Sequence, residues 1–537
     1  MSAATHTYRS LTEQVNRSSG EVNIDSILAL DKQIRVQEEA LQKLKRTRNS
    51  LLNIYRLPPE VLGKIFVWSV TWKDDFDGLQ KESHNFLHVC RYWFEVALRT
   101  PEIWSFWGNT PEDWARWYPY SGTAPLDLVF SGCDFEENGD NYFDGALLDV
   151  LRERAKRDTI RRVHLAYQDS SLLEEIISSL TPECMGVRSN RIEALLLWNS
   201  DSRLVDLSDF LTRCCFPRLR RLELAHCKIS SWDHLTSRTG ALTSLNVTNS
   251  SPTPTTSQLL STFASNPALR EIELDCLTAL EDDKDASSFR VAFRHLKSLR
   301  LTGDSQPVLG LLDQLDYLTT IEKVAVTLLH CTPADISRTI GPYLRNHLQR
   351  RGSPQSGLGL TLFCRGHIVI FQVGDVGKMD PKFAEMDKVV ELTVKFDRVP
   401  SGDRLEAAAL ELVANVPPKD VVYFRAYQER ETMGEIYNMY TQLPNLKTLD
   451  IDRIWPPAVF LEHNPDKDWS FLPSLQHLTF RESMNDDYWT PLMTFLSRRV
   501  SSGKPLRMVK IIPLSWVRPD IEEAIKGMVE EFETGRW

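Results

Sequence analysis

The sequence predicts an α/β fold in two parts: a run of helices at the N-terminal end, then an irregular solenoid built from short strands and helices. Three observations lead there. A chain of 537 residues is too long for one ordinary core, so several domains or a repeat array is expected. Segments between about residues 24 and 98 space their apolar side chains three and four apart, whereas from about residue 120 short aliphatic alternations return at intervals. The composition, 42% hydrophobic and 25% charged, is that of a globular chain, so disorder over most of the length is not expected.

Residues 1–22 carry no such period and are expected to be disordered. Residues 23–52 read as an amphipathic, coiled-coil-like helix. Ile27, Ile34 and Leu41 recur every seven residues, Leu30, Leu44 and Leu51 follow at the alternate spacing, and Gln37 and Arg48 interrupt the seam. Asn23 or Asp25 suits its start. The expectation is a helix folded back on its own chain, with weak self-association through 24–52 as the second reading.

The segment 53–106 is the most specific in the chain. Leu57-Pro58-Pro59-Glu60 opens a helix: proline fits a first turn whose N–H has no partner, and Glu60 suits the positive helix end. Val61, Leu62, Ile65 and Phe66 then follow at helical spacing. After a polar, acidic stretch from Lys73 to Gly78, Val89-Cys90-Arg91-Tyr92-Trp93 begins a second helix, closed by Pro101 and Trp104. Leu-Pro-x-Glu-Val-Leu-x-x-Ile-Phe, then Val-Cys-Arg-x-Trp and Pro-x-x-Trp, together resemble the F-box, a helical module of about 50 residues. A preceding heptad helix is similar to that of fungal F-box proteins. In this family the module binds a Skp-type adaptor, which links it to a cullin scaffold. The resemblance implies that Leu57 and Pro58 fill the adaptor's groove, that Glu60, Val61, Leu62, Ile65 and Phe66 continue the first helix, and that Val89, Cys90, Arg91, Trp93 and Trp104 complete the second half. The gap 67–85 is longer and more acidic than the family pattern.

Residues 107–516 repeat one pattern. Leu219-Arg220-Arg221-Leu222-Glu223-Leu224-Ala225-His226-Cys227-Lys228-Ile229 matches the leucine-rich-repeat template Leu-x-x-Leu-x-Leu-x-x-Cys-x-Leu. Weaker copies centre on Leu128/Phe130, Val163/Leu165, Leu195/Leu197, Leu245/Val247, Ile272/Leu274, Leu299/Leu301, Val324/Val326, Leu360/Leu362, Leu392/Val394, Val422/Phe424, Leu449/Ile451, Leu478/Phe480 and Val509/Ile511. Neighbours lie mostly 23 to 32 residues apart, and Pro217, Pro267, Pro444 and Pro473 punctuate the turns into several copies. In each pair the two aliphatic side chains share one face of a strand, which a single strand cannot bury but stacked neighbours can. A horseshoe is expected, with helices such as Thr256–Phe263 on its convex side and Glu223, Glu273, Arg300 and Asp450 on a charged concave face. Cys133 and Cys227 take the turn position of the repeat, whereas Asp304, Ile454 and Ser483 stand there in other copies. Residues 517–537 read as a capping helix, with its apolar stripe running from Ile521 to Phe532.

Other chemistry is not expected. The formal charge is −10, from 63 Lys+Arg against 73 Asp+Glu, which disfavours nucleic acid. The chain shows neither an apolar run long enough for a membrane span nor a signal peptide at its start. Nine irregularly spaced cysteines read as reduced thiols, hence cytoplasm or nucleus, and Asn246-Val247-Thr248 is a glycosylation sequon in form only. Gly374 to Met379 lacks the spacing and hydroxyl of a phosphate loop. His84 and His88 lie four apart, as zinc ligands on a helix would, but no Glu follows His84; Cys214, Cys215, His226 and Cys227 lack the paired Cys-x-x-Cys spacing of a zinc site. Acidic Glu281–Asp285 reads as a solvated loop, and Ser251–Pro254 as an exposed insertion. No catalytic residues, cofactor or metal are expected. The resemblance implies a substrate receptor of an SCF-type ubiquitin ligase, not itself an enzyme, whose repeats hold a protein substrate; the alternative is a non-catalytic scaffold acting outside ubiquitin transfer.

Overall fold

A computed structural model describes residues 24–70, 85–107, 118–131, 145–156, 159–167, 170–181, 188–189, 191–201, 203–233, 235, 239–277, 290–316, 321–331, 336, 340–351, 357–365, 368–380, 385–395, 409–428, 442–452, 472–481, 486–512 and 517–534. The expected disordered segment 1–22 lies outside the described residues, as do Lys73–Gly78, His84, Cys133, Glu281–Asp285, Ile454 and Ser483. The protein is mixed α/β and divides into two compact units, Met1–Phe106 with Glu112–Ala124, and Trp107–Pro111 with Pro125–Trp537.

The first unit is helical. Helix α1 (Ile24–Ser50) has Asp25 in its first turn and Arg48 in its last, both matched to the helix dipole. Its seam residues Ile27, Ile34, Leu41 and Leu44 are exposed, so among the described residues this seam is not folded back onto the chain as expected. Helix α2 (Pro59–Val70) begins where the Pro58 carbonyl accepts from the N–H groups of Val61 and Leu62, both at 3.0 Å. Helix α3 (Arg91–Leu98) follows the single helical turn Asn85–His88, and a further turn, Pro101–Ser105, ends the module. Leu62, Phe66, Val70, Phe86, Val96, Ala97, Ile103 and Trp104 make one core. Phe66 stacks on Phe86 at 4.4 Å, and the Trp104 indole N–H donates to the Ala97 carbonyl at 2.8 Å. Gly63 lets α2 approach the turn after α3, since a Cβ there would lie 2.7 Å from Thr100 Oγ1.

The second unit is built on one large, mostly parallel sheet. Its first eight strands pair in chain order, all parallel: β1 (Leu126–Ser131), β2 (Ile160–Tyr167), β3 (Ala194–Asn199), β4 (Arg221–Ala225), β5 (Ser244–Thr248), β6 (Glu271–Leu277), β7 (Ser298–Asp304) and β8 (Lys323–Leu329). The register aligns the aliphatic pairs: Leu195/Leu197 lie opposite Leu222/Leu224, these opposite Leu245/Val247, and these opposite Ile272/Leu274. A one-residue slip in any strand would send its apolar side chains to the other face, so this pattern fixes the register. Connecting helices pack their own apolar residues: α4 (Gly145–Lys156), α5 (Ser170–Leu180), α6 (Ser208–Arg213), α7 (Thr256–Ser265) and α8 (Ser305–Asp313). Helix α7 starts with a capping box in which Thr255 and Gln258 serve each other's backbone N–H. Left-handed residues end three strands, at His226, Asn249 and His330.

After β8 the spatial order departs from the chain order. Helix α9 (Gly341–Arg351) leads to β9 (Leu358–Arg365), which runs antiparallel to β10 (Ile368–Asp380), itself antiparallel to β11 (Glu385–Lys395). It is β11 that pairs with β8, while β9 pairs onward with β12 (Val421–Gln428). The two residues between β9 and β10 cannot make the crossover of a dozen or more that a parallel pair needs, so the chain folds back as a hairpin. Two expected copies therefore shift: Val390/Leu392 face Val324/Val326 rather than Leu392/Val394, and Phe424/Ala426 replace Val422/Phe424 in the row. Parallel order resumes through β13 (Thr448–Asp452), β14 (His477–Phe480) and β15 (Met508–Ile511), with α10 (Asp486–Ser501) between the last two.

The capping helix is shorter than expected. Helix α11 (Pro519–Lys526) stops before Gly527, and Glu531–Thr534 forms β16, parallel to β15. Gly527 caps the helix end, and the charged Glu531 and Glu533 suit an edge strand, where charge discourages further pairing. Lys510 Nζ meets Glu533 Oε2 at 2.8 Å across this last pair.

Candidate functional site

Helix α2 carries two apolar stripes. Leu62, Phe66 and Val70, spaced by four, point into the core of the helical unit. Val61, Ile65 and Trp68, spaced by four and three, face solvent, and Trp68 is 76% exposed. A helix in a small unit needs one such stripe for its own packing; the second is surplus to it. Val89 and Phe94 are also exposed.

The residues expected to meet an adaptor thus separate into two groups. Leu62, Phe66 and Trp104 are withdrawn into the core, and Trp104 is 1% exposed. Pro58, Glu60, Val61, Ile65 and Val89 are open to solvent, as is Arg91, whose Nε meets Glu95 Oε1 at 2.7 Å. Leu57, Cys90 and Trp93 are half-buried. The Leu57 carbonyl accepts from the Tyr92 hydroxyl at 3.1 Å, which ties the start of α2 to α3. Trp93 leans on Phe66 with ring centres 5.1 Å apart. Trp68 and Phe94 were not among the expected contacts; for Trp68 the signal is its place seven residues after Val61 with Ile65 between.

The second candidate is the sheet face opposite the aliphatic pairs. In register across it run Val129, His164, Leu196, Glu223, Asn246, Glu273, Arg300 and Ala325. Its first strands are covered: burial, reinforced by the Arg221 guanidinium, lowers the His164 imidazole pKa to about 4. Trp198 stands 52% exposed on this face, with Ala166 and Ala225 on either side in register. Next come paired charges, Arg221 with Glu223 at 2.6 Å and Arg300 with Glu273 at 3.0 Å. Further along, Phe363 and Tyr427 stack at 4.1 Å.

Asp450 does not line an open charged surface as expected. It is 3% exposed, Arg481 grips both its oxygens at 2.9 Å, and Tyr423 donates to Oδ2 at 3.1 Å. Burial pushes the Tyr423 phenol well above its ordinary pKa. A bidentate guanidinium satisfies a carboxylate that would otherwise be too costly to bury.

Other motifs resolve structurally. Gly374–Met379 lies within strand β10, where no phosphate-cradling loop exists. Cys227 pairs with Val205 in a short parallel bridge, and its Sγ contacts the Ala225 carbonyl at 3.4 Å; burial raises its thiol pKa to about 12. Ser251–Pro254 is no free insertion: Ser251 N–H donates to the Cys227 carbonyl at 3.0 Å, its carbonyl accepts from Ile229, and Pro254 is buried. Among the described residues no group of His, Cys, Asp and Glu converges to hold a metal ion, and no helix is long and apolar enough to cross a membrane. Searches against family models and against curated proteins found no match to the chain.

Proposed function

We propose that this chain is a substrate receptor: its helical unit acts as an F-box that docks a Skp-type adaptor, and through it a cullin scaffold, while its sheet unit holds a protein target. The observation that carries the reading is the second stripe of α2. Val61, Ile65 and Trp68 remain exposed although Leu62, Phe66 and Val70 already fill the core of a unit too small to need both. Such a stripe beside the exposed Pro58 suits a groove on a partner, and aromatic anchors of this kind carry most of the energy in docking.

For the sheet unit, the reading is an irregular leucine-rich-repeat solenoid, supported by the in-register aliphatic rows, the parallel pairing and the connecting helices. The β9–β11 reversal is where it departs from a regular array. On the opposite face, exposed Trp198 between two alanines, next to paired charges, makes the best place for a protein target.

The test is co-purification of the full chain with a Skp-type adaptor. Wild type is expected to form a stable complex, and Val61→Asp with Ile65→Asp to lose at least about ten-fold in affinity while keeping its fold, since both side chains are solvent-facing. Leu57→Ala with Pro58→Ala is expected to weaken it too. Undiminished binding by the aspartate pair would sink the site.

A further inference from the structure

Helix α1 has an apolar seam and a lengthwise division of charge, and the two together define a partner. Ile27, Ile34 and Leu41 hold one seam position, and Leu30, Leu44 and Leu51 the other. All but Leu30, which is half-buried, are exposed. From Asp25 to Glu39 the helix carries Asp25, Asp31, Glu38 and Glu39 against Lys32 and Arg35; from Ala40 to Ser50 it carries Lys43, Lys45, Arg46 and Arg48 and no acid.

Two copies side by side have two ways to meet. Parallel, the cationic halves lie together, and Arg48, which sits in the seam, meets the Arg48 of the other copy inside the interface. Antiparallel, the cationic C-terminal stretch of each copy lies on the acid-bearing N-terminal stretch of the other. With Ile27 level with Leu51 of the second copy, Arg48 comes level with Leu30 and Gln37 with Leu41, so neither polar seam residue meets its twin. Asp31 then comes within reach of Lys45. The two Glu38 side chains near the midpoint are the like-charge contact this arrangement makes. Charges flanking a seam set partner and orientation, and a helix of this length spans about 40 Å, enough for roughly four heptads.

We propose that α1 pairs antiparallel with α1 of a second copy of this chain, making the protein a dimer through its N-terminal helix. The charge pattern favours this occupant because the stretch after Glu39 is wholly cationic and every acid of the helix lies before it, so only the antiparallel arrangement sets one against the other.

Sedimentation equilibrium of the full chain from about 1 to 100 µM tests the pairing. A concentration-dependent dimer is expected, and Ile34→Asp with Leu41→Asp is expected to raise its dissociation constant at least about ten-fold. Both positions are solvent-facing in the single chain, so an unchanged thermal transition confirms that the variant folds. A wild-type chain that stays monomeric throughout overturns the proposal and assigns the seam to another protein. Orientation is read by zero-length carbodiimide coupling in a mixture of isotope-labelled and unlabelled chains. A crosslink between Asp31 of one isotope and Lys45 of the other is expected. Within one helix, or between parallel helices, these residues lie about 21 Å apart along the axis and do not couple. A dimer lacking that crosslink overturns the antiparallel arrangement.

Discussion

The two units of this protein handle apolar side chains in opposite ways. In the sheet unit the aliphatic residues of successive strands cover one another, so that Leu195, Leu222, Leu245, Ile272 and Leu299 are all essentially inaccessible. In the helical unit a core of eight buried residues is full, and Val61, Ile65, Trp68, Val89 and Phe94 are left in solvent. A stacked array supplies each strand with neighbours from its own chain. A short helical module has fewer neighbours to offer, and its second stripe stays exposed. The difference separates aliphatic rows that cover one another from a helix that keeps one apolar stripe in its core and a second at its surface.

The comparison breaks most visibly at Trp104. This ring fills the small core and its N–H satisfies the Ala97 carbonyl. Trp104→Ala is expected to cost about 3–5 kcal/mol, most of what a core of that size supplies, and so to unfold the helical unit alone. Hydrogen exchange would show protection lost across 59–70 and 85–105 and retained in the strands from Leu222 to Leu301. Retained protection in those two segments would mean that the unit draws stability from more than its own core. Leu224→Ala, losing about 2–5 kcal/mol from a much larger core, is expected to leave its unit folded.

Much of this contrast is written in the sequence, for a physical reason. An aliphatic pair two residues apart commits a strand to burying one face, and fourteen such pairs, from Leu128/Phe130 to Val509/Ile511, fall on strands of the sheet. Direction is not written there. Val369, Phe371 and Val373 alternate like any neighbour, so the antiparallel β10 and the exchange of β9 with β11 leave no mark in hydrophobic pattern; only the two-residue link before Ile368 does. Likewise Val61 and Leu62 are adjacent and equally apolar, and only the packing of α2 on Phe86 and Trp104 decides which of them faces inward. At Asp450 the alternation gives the right face but not the burial, because the covering partner, Arg481, comes from the end of the neighbouring strand β14.

A smaller effect sharpens the picture of the sheet's second face. His164 sits there among Val129 and Leu196, and burial holds its pKa near 4, against an ordinary value of 6.5. Below pH 6.5 the unfolded chain takes up a proton that the folded chain refuses. Stability is therefore whole above pH 6.5 and falls as the pH drops toward 4, by up to about 3 kcal/mol at the lower end. Denaturant midpoints at pH 7.5 and 4.5 for wild type and His164→Leu are expected to differ in their pH dependence by an amount of that order. Equal slopes would place His164 in water.

The smallest expected effect lies at Glu273, and it separates the two kinds of charge on one sheet face. Asp450 is enclosed and held by two nitrogens of Arg481, whereas Glu273 and Arg300 meet at 3.0 Å with much of both side chains in solvent. Water screens such a pair, and ordering two long side chains offsets most of its attraction. Glu273→Gln is accordingly expected to change stability by less than about 0.5 kcal/mol, with little response to added salt. If the sheet face holds a protein target, the same substitution leaves Arg300 without its partner at a contact surface, and its effect should then appear in target binding and not in the unfolding midpoint. A loss above about 2 kcal/mol in chemical denaturation would instead make Glu273 a structural charge like Asp450 and move the open part of the face toward Trp198.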